Sequence, residues 1–450
     1  MDMAQTNNKL QARKKMGYAI SETANNFHAH IDMFFLLYFL TDVFGMTGGA
    51  VAALLLVVRL WDAINDPIMG YVSDHTRSRW GSFRPYLLFM ALPFAVLKVL
   101  QYTTPAFSMA GKTVYMYVIY ILYSMVMTSI FVPYTAMLPS LTKNYRERSS
   151  IASLKTVVGM LGTLIVAVLF QPIVGLFPDE KTGFQMAALI FVVIATIFYW
   201  ITFASTREQT NIGKKEKYPI KKMYQMLLGN KPLLILCISN VFSTMVNVVM
   251  AQTLVYYFKY NVGNEGLYPI AMMVVMLSLV GGSMIVPLVA SKLGKRNTFI
   301  AGNLVSIIGG ILILFTPSAN VILFMVSCGL LAIGVAPTLV LVYSMAADCV
   351  EYGHWKHNIR AEGLTFSFLG FSTKLSSAIG GAIGGIIFAI TGYIPNVLQT
   401  PSALFGIKAQ LSIVPIVLAM ISMTIIRFYR IDGKLYKDII DDLEQRNITE

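Results

Sequence analysis

Twelve mostly apolar stretches, separated by short polar segments, run along the sequence. They fall near 17–42, 47–72, 84–103, 112–138, 151–176 and 183–204, then near 232–260, 268–290, 298–316, 320–347, 362–392 and 404–428. An α-helix needs about 20 apolar residues to cross about 30 Å of hydrocarbon. The pattern therefore predicts an all-α membrane protein with twelve transmembrane helices. A polar, lysine-rich segment separates the sixth stretch from the seventh. The chain thus divides into a six-helix bundle over 1–204, a cytoplasmic middle loop over 205–231, a second six-helix bundle over 232–430 and a cytoplasmic tail over 431–450. Many secondary transporters are built from two such repeats, with the substrate held near the midplane. Each half also carries a charged turn after its second stretch, at 73–84 and at 291–297.

Composition sharpens this reading. Of 450 residues, 56% are hydrophobic and 13% charged, against about 25% charged in soluble domains. Mean hydropathy is +0.65. These values exclude a soluble enzyme, a disordered chain and a disulfide scaffold. The net charge of +13 would suggest nucleic acid on a soluble protein, but here it lies in short loops. With a cytoplasmic amino terminus, 27 of the 35 Lys and Arg residues fall in inner segments and four (Lys112, Lys181, Lys259, Lys408) in outer ones. That asymmetry predicts a multi-pass protein of the cell membrane with both termini cytoplasmic, no nucleic-acid partner, and the lipid bilayer as its surroundings. The first apolar stretch lacks a small-residue cleavage site, so no cleavable signal peptide is expected. Cys237, Cys328 and Cys349 have no paired spacing and read as packing residues.

The remaining four basic residues, Arg59, Lys98, Lys155 and Lys374, fall inside spans. Ionisable groups there are costly and mark cavities or partners. In the second span Arg59, Asp62 and Asp66 are spaced i, i+3, i+7 and share one helix face, with Asn65 at its border. Two stacked acids repel each other unless a cation lies between them or one is protonated. A bound Na⁺ or H⁺ meets that need, and Asp62 and Asp66 are the expected metal-ion ligands. The alternative is a structural ion pair with Arg59. In the first span, His28 and Asp32 are one turn apart; they either bond sugar hydroxyls, titrate as a pair, or join helices by hydrogen bonds. Lys374 calls for an acid or an anionic ligand across a cavity. Lys98, near an outer end, is expected to snorkel. No nucleophile–base constellation, HExxH or paired CxxC occurs, so no enzyme activity and no cofactor are expected.

Several motifs carry a resemblance. Trp61-Asp62-Ala-Ile-Asn65-Asp66-Pro67-Ile-Met-Gly70 leads through Ser73-Asp74-His-Thr-Arg77-Ser-Arg79-Trp80-Gly81 to Phe83-Arg84-Pro85. Val132-Pro133-Tyr134, Arg146-Glu147-Arg148, Asp348-Cys-Val-Glu351-Tyr352-Gly353, Arg360-Ala-Glu362-Gly363 and Gly392-Tyr393-Ile-Pro-Asn396 follow. Together, from about 17 to about 440, they resemble the glycoside–pentoside–hexuronide:cation symporters, the melibiose permease-like branch of the major facilitator superfamily. The resemblance implies cation-coupled sugar uptake by alternating access, with a sugar and a monovalent cation as partners and one chain sufficient. It implies that Asp62, Asp66, Asn65 and Thr128 hold a co-transported Na⁺, Li⁺ or H⁺. Asn26, His28, Asp32, Arg59, Tyr134, Lys155 and Lys374 would contact the sugar. Asp74, Arg77, Arg79, Arg148 and Arg360 would latch the inward side.

The departures bear on the substrate. The first-span acid that clamps sugar hydroxyls in the melibiose permease-like branch is replaced by Asn26. The fourth-span acid falls at Phe131, the stacking tryptophan at Thr135, and the fifth-span arginine near Lys155. Fewer acids beside Arg59, Lys155 and Lys374 predict a more positive cavity and thus an anionic sugar. A stretch at 24–27 and one at 399–406 are also similar to the glucuronide carriers. A glucuronide or hexuronide stands first, and another oligosaccharide or a pentoside second. A cation-coupled lysolipid or amphiphile carrier, or a sugar sensor that does not transport, are the other readings.

Overall fold

A computed structural model describes residues 12–141, 145–208, 229–357 and 362–449. Within these residues the regular structure is helical. Ten helices are long and apolar enough to cross a membrane. Two further spans are irregular. The first runs as Ala12–Ile31, continued by the wider π turns Asp32–Leu36 and Phe39–Val43. The third is split into Arg84–Phe89 and Ala91–Gln101. The twelve spans are thus present. The second is Gly48–His75, the fourth Met109–Leu141, the fifth Tyr145–Val174 and the sixth Glu180–Ser205. The seventh is Lys231–Tyr256, the eighth Tyr268–Leu293 and the ninth Lys295–Phe315. The tenth is Val321–His357, the eleventh Glu362–Thr391, and the twelfth Pro401–Leu411 with Ile413–Ile426. A final helix covers Gly433–Thr449.

The interruptions have local causes. Pro93 lacks the N–H that would bond the carbonyl of Phe89, and Pro415 lacks the one that would bond Leu411. A proline inside a helix removes that bond and crowds the preceding turn, so the breaks fall at Met90 and Ser412.

The chain forms two compact units, Met1–Lys215 and Glu216–Glu450. In the first, span one packs on spans five and six, span two on four, and span three on four and six. In the second, span seven packs on eleven and twelve, eight on ten, and nine on ten and twelve. The neighbours named correspond in the two units, span seven packing on span ten in addition, and spans one and seven both end in π turns. Close approach is secured by small residues: a methyl on Gly162 would lie 3.1 Å from the Thr23 Cα. The second span shows how an apolar helix hides polar groups. Leu60, Ile64 and Ile68 are exposed, a stripe suited to hydrocarbon, while Asp62, Asn65 and Met69 are buried on the other side.

Candidate functional site

The acids of the second span meet a matching pair of hydroxyls. Ser124 and Thr128 are one turn apart on the fourth span, as Asp62 and Asp66 are on the second. Ser124 Oγ donates to Asp62 Oδ1 in a very short contact. Thr128 Oγ1 donates to Asp66 Oδ1 at 3.1 Å. The other oxygen of Asp62 accepts from Arg59 Nη1, also at 3.1 Å. Asp62 and Asn65 are only 7% and 8% exposed. Asn65 Nδ2 is buried without a hydrogen-bond partner, and turning that amide over puts a carbonyl oxygen at the same point. The result is two carboxylate–hydroxyl pairs one turn apart, with Asn65 between them in sequence. Carboxylate and neutral oxygens of this kind suit a hard cation. Among the described residues no group of three or more His, Cys, Asp or Glu could hold a metal ion, so any ion here rests on two acids and neutral oxygens. Sequence reasoning missed Ser124, a hydroxyl among many; only its register with Thr128 could have pointed to it.

The first span supplies a second cluster, again with a missed residue. Glu22 pairs with Lys155 of the fifth span at 3.2 Å. The Lys155 ammonium also sits 4.9 Å from the Tyr134 ring centroid. Asn25 Nδ2 donates to Glu22 Oε2 at 3.4 Å, and Tyr199 Oη donates to Asn25 Oδ1 at 2.8 Å. Asn26 lies one turn after Glu22 and is half-buried. Tyr134 has no exposed surface. It stacks on Tyr18 at 4.7 Å, and the two hydroxyls donate to each other's main-chain carbonyls. Tyr134 is therefore the floor beneath Lys155, with no surface of its own to offer a ligand.

Farther along the first span, two expectations change. Asp32 does not pair with His28. It accepts from Lys98 Nζ at 2.5 Å and from Tyr102 Oη at 2.9 Å. Lys98 does not snorkel; it is 1% exposed and lies between the rings of Tyr102 and Tyr123. Its position near an outer end suggests a route to the surface, but its acid, 66 positions away in sequence, lies alongside it in the fold. Asp32 is thus committed to a structural pair. His28 packs edge-on against Phe94, and its Nε2 is buried without a partner.

Among the expected gate residues, Arg77 and Arg79 are exposed, and Arg79 lies 4.1 Å over Trp80. The side chains of Asp74 and Arg148, and all of Arg360, lie outside the described residues. The turn after the second span is held by a residue not foreseen: Glu208 accepts from the main-chain N–H groups of Ser82, Phe83 and Arg84, each at 2.8 Å. A carboxylate there caps the start of the third span. In the second unit, Lys295 grips both oxygens of Asp348 at 2.8 and 2.7 Å. Lys374 is half-buried on the eleventh span. Its neighbours Ser372 and Thr373 accept from Asn240 Nδ2 of the seventh span. Lys374 belongs to the second unit, whereas the two carboxylate clusters belong to the first.

Comparison with known proteins agrees with this architecture. The MFS/sugar transport protein family matches over residues 17–433. The chain is 36% identical to an isoprimeverose transporter of Lactiplantibacillus pentosus, over 98% of this chain and 93% of that protein. It is 30% identical to a glucuronide carrier protein homolog of Escherichia coli (strain K12), over 98% and 97%. In fold it is similar to a bacterial homolog of the human lysosomal transporter Spinster, with a TM-score of 0.71, 10% identity and 96% and 99% coverage. It is also similar to the nucleoside transporter NupG, at 0.68, 15% identity and 92% and 99% coverage. The chain is a multi-pass membrane protein of major facilitator fold, and it belongs to the glycoside–pentoside–hexuronide:cation symporters within the MFS/sugar transport protein family.

Proposed function

We propose that the protein couples entry of Na⁺, or of H⁺, to uptake of a neutral glycoside of the pentose-containing disaccharide class, by alternating access across the cell membrane with both termini cytoplasmic. The observation that carries the coupling is the double rung of Asp62–Ser124 and Asp66–Thr128. Arg59 engages Asp62 through one oxygen, and two acids one turn apart repel each other unless a cation lies between them or one is protonated. The neutral oxygens of Ser124, Thr128 and Asn65 favour Na⁺ or Li⁺ over a bare proton, which needs only a carboxylate. The excess of Lys and Arg in inner loops supports the orientation.

The preference for a neutral sugar reverses the order drawn from sequence. That order counted Arg59, Lys155 and Lys374 as uncompensated. Arg59 is bonded to Asp62 and Lys155 to Glu22, so the first unit supplies little net positive charge. The similarity to an isoprimeverose transporter supports the same class. Lys374 and the similarity to a glucuronide carrier homolog support an anionic sugar as the second reading. Counterflow of labelled isoprimeverose in membrane vesicles tests the choice. Competition by unlabelled isoprimeverose but not by a methyl glucuronoside is expected; competition by the glucuronoside alone selects the second reading. Lysolipid entry without sugar counterflow, or binding without transport, overturns both.

A further inference from the structure

Glu22 stands in the first span one turn ahead of Asn26, with no spacing or motif of its own to mark it. We propose that Glu22 is a positioning residue that sets the charge of the accepted sugar: by occupying Lys155 it keeps anionic glycosides out. This rests on the reading of Asn26 and Lys155 as sugar contacts.

Four observations support it. Lys155 Nζ lies 3.2 Å from Glu22 Oε2, and both side chains keep about a fifth of their surface accessible, 20% and 19%. Lys155 is five positions past Ser150, where its apolar span begins, and Glu22 is five past the start of the first apolar stretch at 17, about 7 Å along each axis. A charged pair that keeps open surface within apolar spans faces a wetted space rather than lipid. Next, the carboxylate is aimed: Asn25 donates to the same Oε2 and is itself held by Tyr199. Third, Gly159 of the fifth span joins the pair to Asn26. A methyl there would lie 2.8 Å from Glu22 Cγ and 2.6 Å from Asn26 Nδ2, so glycine lets both side chains cross the fifth span together. Finally, Lys155 cannot retreat, because Tyr134 beneath it is fully buried and fixed to Tyr18.

The consequence follows from charge. A sugar carboxylate brought to Lys155 also comes close to Glu22 and is repelled, and Lys155 is already neutralised. A neutral sugar suffers no such penalty and can bond both partners. Discrimination by repulsion of the wrong ligand is a general route to specificity. Replacing Glu22 by the isosteric glutamine removes the repulsion and leaves an ammonium ready for a carboxylate.

The test uses the full chain, purified in detergent, and two probes that differ only at C6: methyl β-D-glucoside and methyl β-D-glucuronoside. Calorimetry gives the affinity ratio of the two. In Glu22→Gln the ratio shifts toward the glucuronoside by about tenfold or more, and in Glu22→Gln/Lys155→Gln it returns to the starting value. An unchanged ratio in the single variant, or a gain that persists in the double variant, overturns the proposal. If Glu22→Gln does not fold, Lys155→Gln serves instead: an unpaired Glu22 shifts the ratio away from the glucuronoside, and an unchanged ratio there overturns it. Failure of every form to bind either glycoside, or isoprimeverose in the same calorimeter, overturns the sugar reading itself, which is distinct from loss of the Glu22 effect alone.

Discussion

A carboxylate in a membrane span is stable only where its charge is answered, and three acids of the first unit are answered in different ways. Asp32 has a buried lysine, Glu22 a half-buried one, and Asp62 accepts from both Arg59 and a serine hydroxyl. The Asp32–Lys98 pair is the most enclosed. Removing one member leaves an uncompensated buried charge, which costs about 3–5 kcal/mol. Lys98→Met should therefore lower the melting temperature sharply, and Asp32→Asn/Lys98→Met should recover much of the loss. A double variant no better than the single would show that Asp32 has another counter-charge. At the ion cluster, Ser124→Ala removes one neutral oxygen but no charge. It should raise the Na⁺ concentration for half-maximal uptake by about tenfold, the effect of one lost charge-assisted bond, and leave folding intact. The stacked acids, Asn65 and Thr128 were legible in the sequence because charges and a family-like motif stand out on an apolar helix. Ser124, Glu22 and the partner of Lys98 were not, since their meaning lies in contacts 62, 133 and 66 positions away. One-dimensional spacing carries no information about which helix lies alongside.

At the scale of whole helices, the twelve spans could be read from hydropathy to within a few residues at most ends, because the width of the bilayer sets their length; the tenth runs on to His357, ten residues past its apolar stretch. Their irregularities were less legible. The prolines at 93 and 415 announce the breaks in spans three and twelve, but nothing in the apolar pattern announces the π turns that open at Asp32. π turns insert an extra residue and often occur at functional positions; here one starts at the acid that binds Lys98. Packing between spans one and five depends on Gly162 and Gly159 meeting Thr23, Glu22 and Asn26. Gly162→Val would press into the Thr23 main chain, 3.1 and 3.2 Å from its Cα and O. Overpacking of this kind costs about 1–3 kcal/mol, so the purified variant should melt several degrees lower. An unchanged melting temperature would mean that the two helices are less closely packed than described.

For the molecule as a whole, the two units repeat one helix-packing pattern, although their sequences show only a shared charged turn after the second span of each. Repeats of this kind diverge in residue identity while keeping which helix touches which, because backbone contacts need only small residues at the crossings. In the second unit that turn ends in Lys295, whose grip on Asp348 ties spans nine and ten. Replacing Lys295 with methionine should accelerate sugar leak in the absence of a cation gradient if the pair restrains the inner end of that unit; identical leak rates would remove it from any gating role.

The second-span acids are the proposed seat of coupling. The direct measurement is accumulation of labelled isoprimeverose in sealed proteoliposomes under an imposed Na⁺, Li⁺ or pH gradient, for the natural chain and for Asp62→Asn and Asp66→Asn. The natural chain should concentrate the sugar only with an inward cation gradient, and each variant should only equilibrate it. Concentrative uptake that ignores all three gradients, or that survives in either variant, would contradict the account.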